Sequence, residues 1–403
     1  MKRAFTSKAA LASVVAALAL ACAVPPRSRL PATVVEGDTA YVTVIPFELF
    51  DGRINVRAVV NGDSGWLVLD SGTGRTALDR AWALGNGVRF AWAPDSNRAL
   101  VDTIRVKTIT LRNYGVNLFN MREVNEGAGR FQFGILGAEF LRRYTVEIDY
   151  GESVVRLYDR MTYRYGGAGV ILPFVTQDEF PWVDVSLLQS TGDSLPAHLL
   201  LDTGNGRLCL ILMTPYVDDH NLTTTVVPHI EGPLITGLAG PLRVALGTIS
   251  AVRVGGLTVD SVPTGLGRER KSFLASTRLN GLLGGKLFDG GRLILDYARR
   301  RAIIEPGAPL GRDCKYDESG LILTAHGAEY RQYRGEYVVA QSPAADAGVR
   351  LGDWVLSIDG RPARQLSLPD IRDVLAADGA VRQLRLARES DTVLVTLHLH
   401  RLF

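Results

Sequence analysis

Two aspartates stand in the same local setting. Asp70 follows Trp66-Leu67-Val68-Leu69 and opens Ser71-Gly72-Thr73-Gly74. Asp202, 132 residues later, follows His198-Leu199-Leu200-Leu201 and opens Thr203-Gly204-Asn205-Gly206. Two carboxyls held about 3 Å apart cannot both ionise readily, so such a pair shares one proton. Its charged member can deprotonate a water while its neutral member polarises a carbonyl. The protons belong to the pair, and neither aspartate is assigned a fixed role. Glycine two positions after each aspartate permits the sharp turn and close backbone approach that this geometry needs.

One Asp-Ser/Thr-Gly alone is weak evidence, because Asp and Gly are favoured turn residues. The elements around it make the signal specific. Each aspartate ends an apolar run short enough for a buried strand. A hydrophobic-hydrophobic-Gly segment follows in each copy, Ile135-Leu136-Gly137 and Leu282-Leu283-Gly284. These lead to Val146-Glu147-Ile148-Asp149-Tyr150 and Leu293-Ile294-Leu295-Asp296-Tyr297, with a constant offset of 147 residues. The upstream strands also begin alike, with Pro46-Phe47 and Pro173-Phe174. Turn chemistry at the two aspartates does not explain these matching segments.

Over residues 40 to 306 the chain resembles the aspartic proteases, specifically bacterial two-lobed relatives of the retropepsins. The resemblance implies that Asp70 and Asp202 form the catalytic dyad and Ser71 and Thr203 brace the two loops. Gly72 and Gly204 are then the turn glycines, and the hydrophobic-hydrophobic-Gly segments cross the loops. Thr73 fits the family pattern; Asn205 departs from it and bears on hydrogen bonding at the second aspartate. The implied activity is endopeptidase cleavage of protein or peptide substrates by one chain acting as a monomer, with no metal or organic cofactor. Flaps are expected within 91–112 and 230–252. A rival reading keeps the fold as a non-catalytic peptide-binding lipoprotein.

The chain has 403 residues, 46% of them hydrophobic, which suits a globular protein of two or three domains. A net charge of +3, with no basic block beyond Arg299-Arg300-Arg301, leaves no footprint for nucleic acid. Lys2, Arg3 and Lys8 precede the apolar run Ala9–Ala21, too short to span a bilayer and suited to a signal peptide. The run stops at Cys22, in the manner of a bacterial lipoprotein signal. The expectation is therefore a signal at 1–21, a tether at 22–39, a lipid on Cys22, and a site facing the periplasm or exterior. Three cysteines supply neither a disulfide framework nor a CxxC metal site. Cys209 reads as a small buried hydrophobe and Cys314 as a free thiol. Gly62-Asp63-Ser64-Gly65 spells a serine-protease loop, but no histidine precedes it and it reads as a hairpin turn.

The expected lobes are 40–165 and 166–306, followed by a linker at 307–320 and a module at 321–403. Ser342-Pro343-Ala344 through Ala347-Gly348 and Gly352-Asp353-Trp354-Val355 through Asp359-Gly360 resemble a bacterial PDZ domain. Ser367 is the expected N-cap of a second helix with Leu368, Ile371 and Leu375 on one face. PDZ domains take an extended C-terminal peptide by strand addition. The expected groove comprises Gly335, Tyr337, Val338 and Val339, with Glu336–Gln341 as the edge, and Leu368 and Ile371 on the helix. The fold class is mainly β: two pseudo-symmetric aspartic-protease β-barrel lobes plus a C-terminal PDZ β-sandwich with two helices.

Overall fold

A computed structural model describes residues 34–36, 43–90, 97–177, 179–238, 240–307 and 309–403. Cys22 and the signal and tether segments ahead of residue 34 lie outside the described residues, as does most of the front of the first expected flap, 91–96.

In the first repeat, Ile54, Val56, Ala58 and Val60 alternate inward along the strand Arg53–Val60. It turns through Asn61 and Gly62, both at positive φ, into strand β1 (Asp63–Leu69). This is the hairpin turn expected at Gly62-Asp63-Ser64-Gly65. Helix α1 (Arg122–Ala128) precedes strand β2 (Gly134–Leu136) and, further on, strand β3 (Tyr144–Asp149). Ladders link 53–60, β1, β2, 77–79, 109–119 and 98–106 in turn, and the last returns to 53–60. The sheet is thus a closed six-strand ring, which leaves those strands no free edge.

The second repeat contains strands β4 (Ser194–Asp202), β5 (His229–Gly237), β6 (Gly240–Val254), β7 (Gly281–Gly284) and β8 (Arg292–Asp296). Its ring runs 180–188, β4, β7, 210–212, 257–267, β6 and back to 180–188, in the same order as the first. The second copy has 15 more residues between its aspartate and its crossing glycine. The long β5–β6 hairpin falls within that interval.

A six-strand antiparallel sheet joins the lobes, in the order 43–50, 154–159, β3, β8, 301–305 and 170–177. Across its centre Glu147 faces Ile294, and Thr145–Asp296 mirrors Asp149–Arg292. The 147-residue offset maps this register onto itself, so the pseudo-dyad passes through the Glu147–Ile294 pair. Pro46 and Pro173 are the last residues paired within this sheet; Phe47 and Phe174 begin the pairing inside each lobe. Asp149 and Asp296 serve this sheet: Asp149 meets Arg156 and Arg292, and buried Asp296 meets Arg299 and Arg301.

The C-terminal module has a sheet ordered β9 (Leu321–His326), β10 (Gln332–Val338), β11 (Trp354–Ile358), 381–388 and 391–398. Helix α2 (Leu368–Leu375) buries Leu368, Ile371 and Leu375 and starts with a capping box. Ser367 Oγ accepts from Asp370 N, and the Asp370 carboxylate accepts from Ser367 N.

One cysteine expectation is overturned. Cys209 and Cys314 form a disulfide, their Cα atoms 5.8 Å apart across 105 residues. The segment after the second lobe folds back onto that lobe: Tyr316 is buried and its hydroxyl donates to Leu234 O at 3.3 Å. That return brings Cys314 within disulfide reach, so it is not a free thiol.

Candidate active site

The ladders place both aspartates at the ends of buried parallel strands. β1 pairs with β2 through Leu67–Gly134, Val68–Ile135 and Leu69–Leu136, and Asp70 N donates to Leu136 O at 3.0 Å. β4 pairs with β7 through Leu200–Leu282, Leu201–Leu283 and Asp202–Gly284. Gly137 and Gly284 pass so close to the Asp loops that a Cβ would strike backbone, Thr73 O in one case and Leu208 O in the other. Both hydrophobic-hydrophobic-Gly segments therefore cross the loops that carry the acids.

Reciprocal bonds lock the loops together. Ser71 N donates to Thr203 Oγ1 at 3.0 Å, and Thr203 N donates to Ser71 Oγ at 3.0 Å. Ser71 Oγ donates to Leu201 O at 2.7 Å, and Thr203 Oγ1 to Leu69 O at 3.0 Å. All four bonds are buried, which gives them a fixed geometry and makes loss of either hydroxyl costly. The two glycines then meet the opposite acids: a Cβ on Gly72 would collide with the Asp202 carboxyl, and one on Gly204 with that of Asp70. No side chain could stand between the carboxyls and the facing loops.

The pair is not symmetric. Asp70 Oδ1 accepts from Gly72 N at 2.7 Å and Thr73 N at 3.1 Å, and its Oδ2 accepts from Thr73 Oγ1 at 2.7 Å. Asp202 Oδ1 accepts from Gly204 N at 2.9 Å and Asn205 N at 3.2 Å. The buried Asn205 Nδ2, the counterpart of the Thr73 hydroxyl, has no hydrogen-bond partner among the described residues. Burial, the adjacent Asp70 charge and a hydrogen bond with Asp70 push the Asp202 carboxyl well above the usual range. Asp70 is thus held by three donors and Asp202 by two.

Further side chains frame the loops. Arg53 Nε donates to Gly204 O at 3.1 Å, and Gly52 abuts Gly206 so closely that neither admits a Cβ. Across the dyad, the Phe180 ring lies against Gly74. The span 230–252 falls in the β5–β6 hairpin, which pairs in register except for a shift between Gly232 and Ile235. Its tip reaches the first lobe, where Leu238 packs on a cluster containing Met121 and Val124, and Gly127 of α1 faces Thr236.

The expected peptide edge at 336–341 is corrected. β10 is an inner strand, paired with β9 through Ile322–Tyr337 and with β11 through Tyr333–Val355. The end strand is β9, whose only ladder among the described residues is to β10. The Tyr337-Val338-Val339 run resembles an edge in isolation, but the hairpin begun at Leu321 covers it. Gly335 N bonds Asp353 O inside the sheet, Tyr337 points to Glu231 of β5, Val338 packs on the module core, and Val339 is buried with Leu234 and Val244. Ile371 faces the module core; Leu368 also touches the segment after α1, where Gly129 would carry a Cβ 2.6 Å from Leu368 Cβ.

Sequence reasoning missed Asp51, Arg53 and Arg372. Arg372 lies four residues after Leu368, hence on the same helix face, a spacing that could have marked it.

Residues 336–388 match the PDZ domain family. No curated protein matches the chain. A solved structure, that of an aspartic proteinase from Irpex lacteus, is similar at a TM-score of 0.40 and 10% identity; the match covers 67% of this chain and 98% of that one. Residues 336–388 of the C-terminal module, from β10 through α2 to the strand 381–388, are thus placed among PDZ domains.

Proposed function

We propose that the chain is an aspartic endopeptidase in which Asp70 and Asp202 activate a water for attack on a peptide carbonyl. The observation that carries this reading is the pair of interleaved carboxyls, each lying against the glycine of the opposite loop, on loops cross-braced by Ser71 and Thr203. Three donors favour a charged Asp70, which takes the proton from water; the proton held at Asp202 is offered to the carbonyl oxygen. The shared titration belongs to the pair, and activity requires its singly protonated form. Hydroxyl bracing keeps the carboxyls from drifting, and an error of about 1 Å would cost on the order of 100-fold in rate.

The test is cleavage of denatured casein across pH 3–8 by wild type, Asp70→Asn and Asp202→Asn. Equal turnover by all three would refute the assignment.

The reading extends to location. A disulfide persists in oxidising compartments, and the Cys209–Cys314 bond supports export. With Cys22 as lipid carrier, Cys22→Ser should move the protein from the membrane fraction to the soluble periplasmic or external fraction; unchanged membrane retention would count against lipidation.

A further inference from the structure

The groove that a PDZ domain offers to a peptide lies between its end strand and the helix facing it. Here those two walls are β9 and α2, and both touch the same piece of the first lobe. On the strand side, His326 Nδ1 lies 3.7 Å from Glu126 Oε1 of α1. On the helix side, Leu368 meets Gly129, and Arg372 Nη2 donates to Gly127 O at 2.7 Å. Thus the C-terminal turn of α1 and the glycines around it contact both walls.

Arg372 also connects this groove to the acids. Its Nη1 donates to Asp51 Oδ1 at 2.6 Å. Asp51 Oδ2 lies 3.8 Å from Arg53 Nη1, Arg53 Nε donates to Gly204 O, and Gly204 N donates to Asp202 Oδ1. The path from α2 to the Asp202 carboxyl thus runs through four contacts, by way of three side chains and the Gly204 backbone. Arg372 is held by Asp51 and the Gly127 carbonyl, whereas the next link is loose: Asp51 Oδ2 and Arg53 Nη1 are buried without hydrogen-bond partners among the described residues. Burial and the nearby Arg207 pull the Arg372 pKa down to about 10. Breaking a buried pair of this kind leaves an uncompensated charge, so displacement of α1 from Arg372 is felt at Asp51. The same α1 abuts the tip of the β5–β6 hairpin, and Tyr337 and Tyr316 hold that hairpin at Glu231 and Leu234.

We propose that the module is a latch closed in cis: α1 occupies its peptide groove, and an extended peptide adding to β9 evicts α1, breaks the Arg372 bridge and frees the cleft. This rests on the endopeptidase reading for its effect on turnover, but not for the occupancy of the groove.

The test uses the full chain and two readouts, casein cleavage and amide hydrogen exchange over 122–129 and 321–326. Arg372→Met should speed exchange in α1 and raise kcat/KM at least about fivefold. Arg372→Met also removes a buried ion pair that serves stability, so a Glu126→Cys/His326→Cys disulfide supplies the opposite perturbation. When oxidised it should slow exchange and lower cleavage at least about fivefold relative to equally treated wild type. Unchanged exchange in both variants overturns the latch. Casein cleavage by Asp70→Asn at the wild-type rate overturns the endopeptidase reading instead, while exchange still decides the latch.

Discussion

The two lobes repeat one six-strand ring and one crossed loop, yet they treat their acids differently. Asp70 receives three donors, one of them the Thr73 hydroxyl; Asp202 receives two, both backbone. The first lobe carries no cysteine among its described residues, whereas the second is tied at Cys209 to Cys314. The second also carries the long β5–β6 hairpin that reaches over to α1. The two scaffolds are alike, and their differences concentrate at the donors to the two acids and where the third module is held.

The largest break in this comparison comes from the acids themselves. Asp70→Asn and Asp202→Asn should each lower casein cleavage at least about 1,000-fold, since either one removes half of an acid–base pair. Asp202→Asn should differ in its effect on stability. A carboxyl raised in the folded state favours the native protein while protonated, and that contribution is lost as pH climbs from the ordinary carboxylate range through the raised value. Wild-type melting temperature should therefore fall across that interval, and the Asp202→Asn curve should be flatter; identical curves would show that Asp202 titrates normally.

Next is the covalent difference. Cys209→Ser with Cys314→Ser opens a loop of about 105 residues, worth roughly 4–5 kcal/mol on loop-entropy grounds. Urea unfolding should lose that much from the wild-type value, with exchange rising first around Tyr316 and Leu234. A loss under about 1 kcal/mol would mean that burial of Tyr316 alone holds the segment.

A smaller effect tests the donor asymmetry. Asn205→Thr places a hydroxyl where Thr73 has one in the other lobe. A donor to Asp202 favours its charged form, lowers the upper pKa of the pair and moves the alkaline limb of kcat toward acid. The shift should be up to about one pH unit. Thr73→Val removes the matching donor from Asp70 and should lower kcat without producing that acidward shift. An unchanged limb in Asn205→Thr would place the proton elsewhere.

Much of the acid site was legible because its signals are local. An apolar run, an aspartate, a hydroxyl residue and a glycine fix a strand and a turn wherever they occur, and the crossing segments repeat at constant offset. The α2 cap was likewise readable from Ser367, and a hairpin from the two apolar runs around Gly62-Asp63-Ser64-Gly65, although the turn itself lies at Asn61-Gly62. What stayed hidden was long-range. The Cys209–Cys314 bond joins residues with no shared pattern, one in an apolar run and the other in what reads as a polar linker. The β9 edge was missed because Tyr337-Val338-Val339 is more strand-like than Leu321–His326, and strand order is a tertiary property. Arg372 shares the face of Leu368, which hints at burial, but its partners are set only by the packing of α1 and Asp51 against α2.

The smallest expected difference lies at the pseudo-dyad. Tyr150 and Tyr297 occupy equivalent positions, each edge-on to its lobe's phenylalanine, Phe47 and Phe174. Tyr150 donates to Gly285 O at 3.2 Å, whereas the buried Tyr297 hydroxyl has no partner among the described residues. Removing a satisfied hydroxyl strands a carbonyl; removing an unsatisfied one relieves a desolvation cost. Tyr150→Phe should therefore destabilise the protein by about 1 kcal/mol, and Tyr297→Phe should leave it unchanged or slightly more stable. Equal losses in chemical denaturation would mean that a water satisfies Tyr297, and that the two lobes are more alike at this level than at their acids.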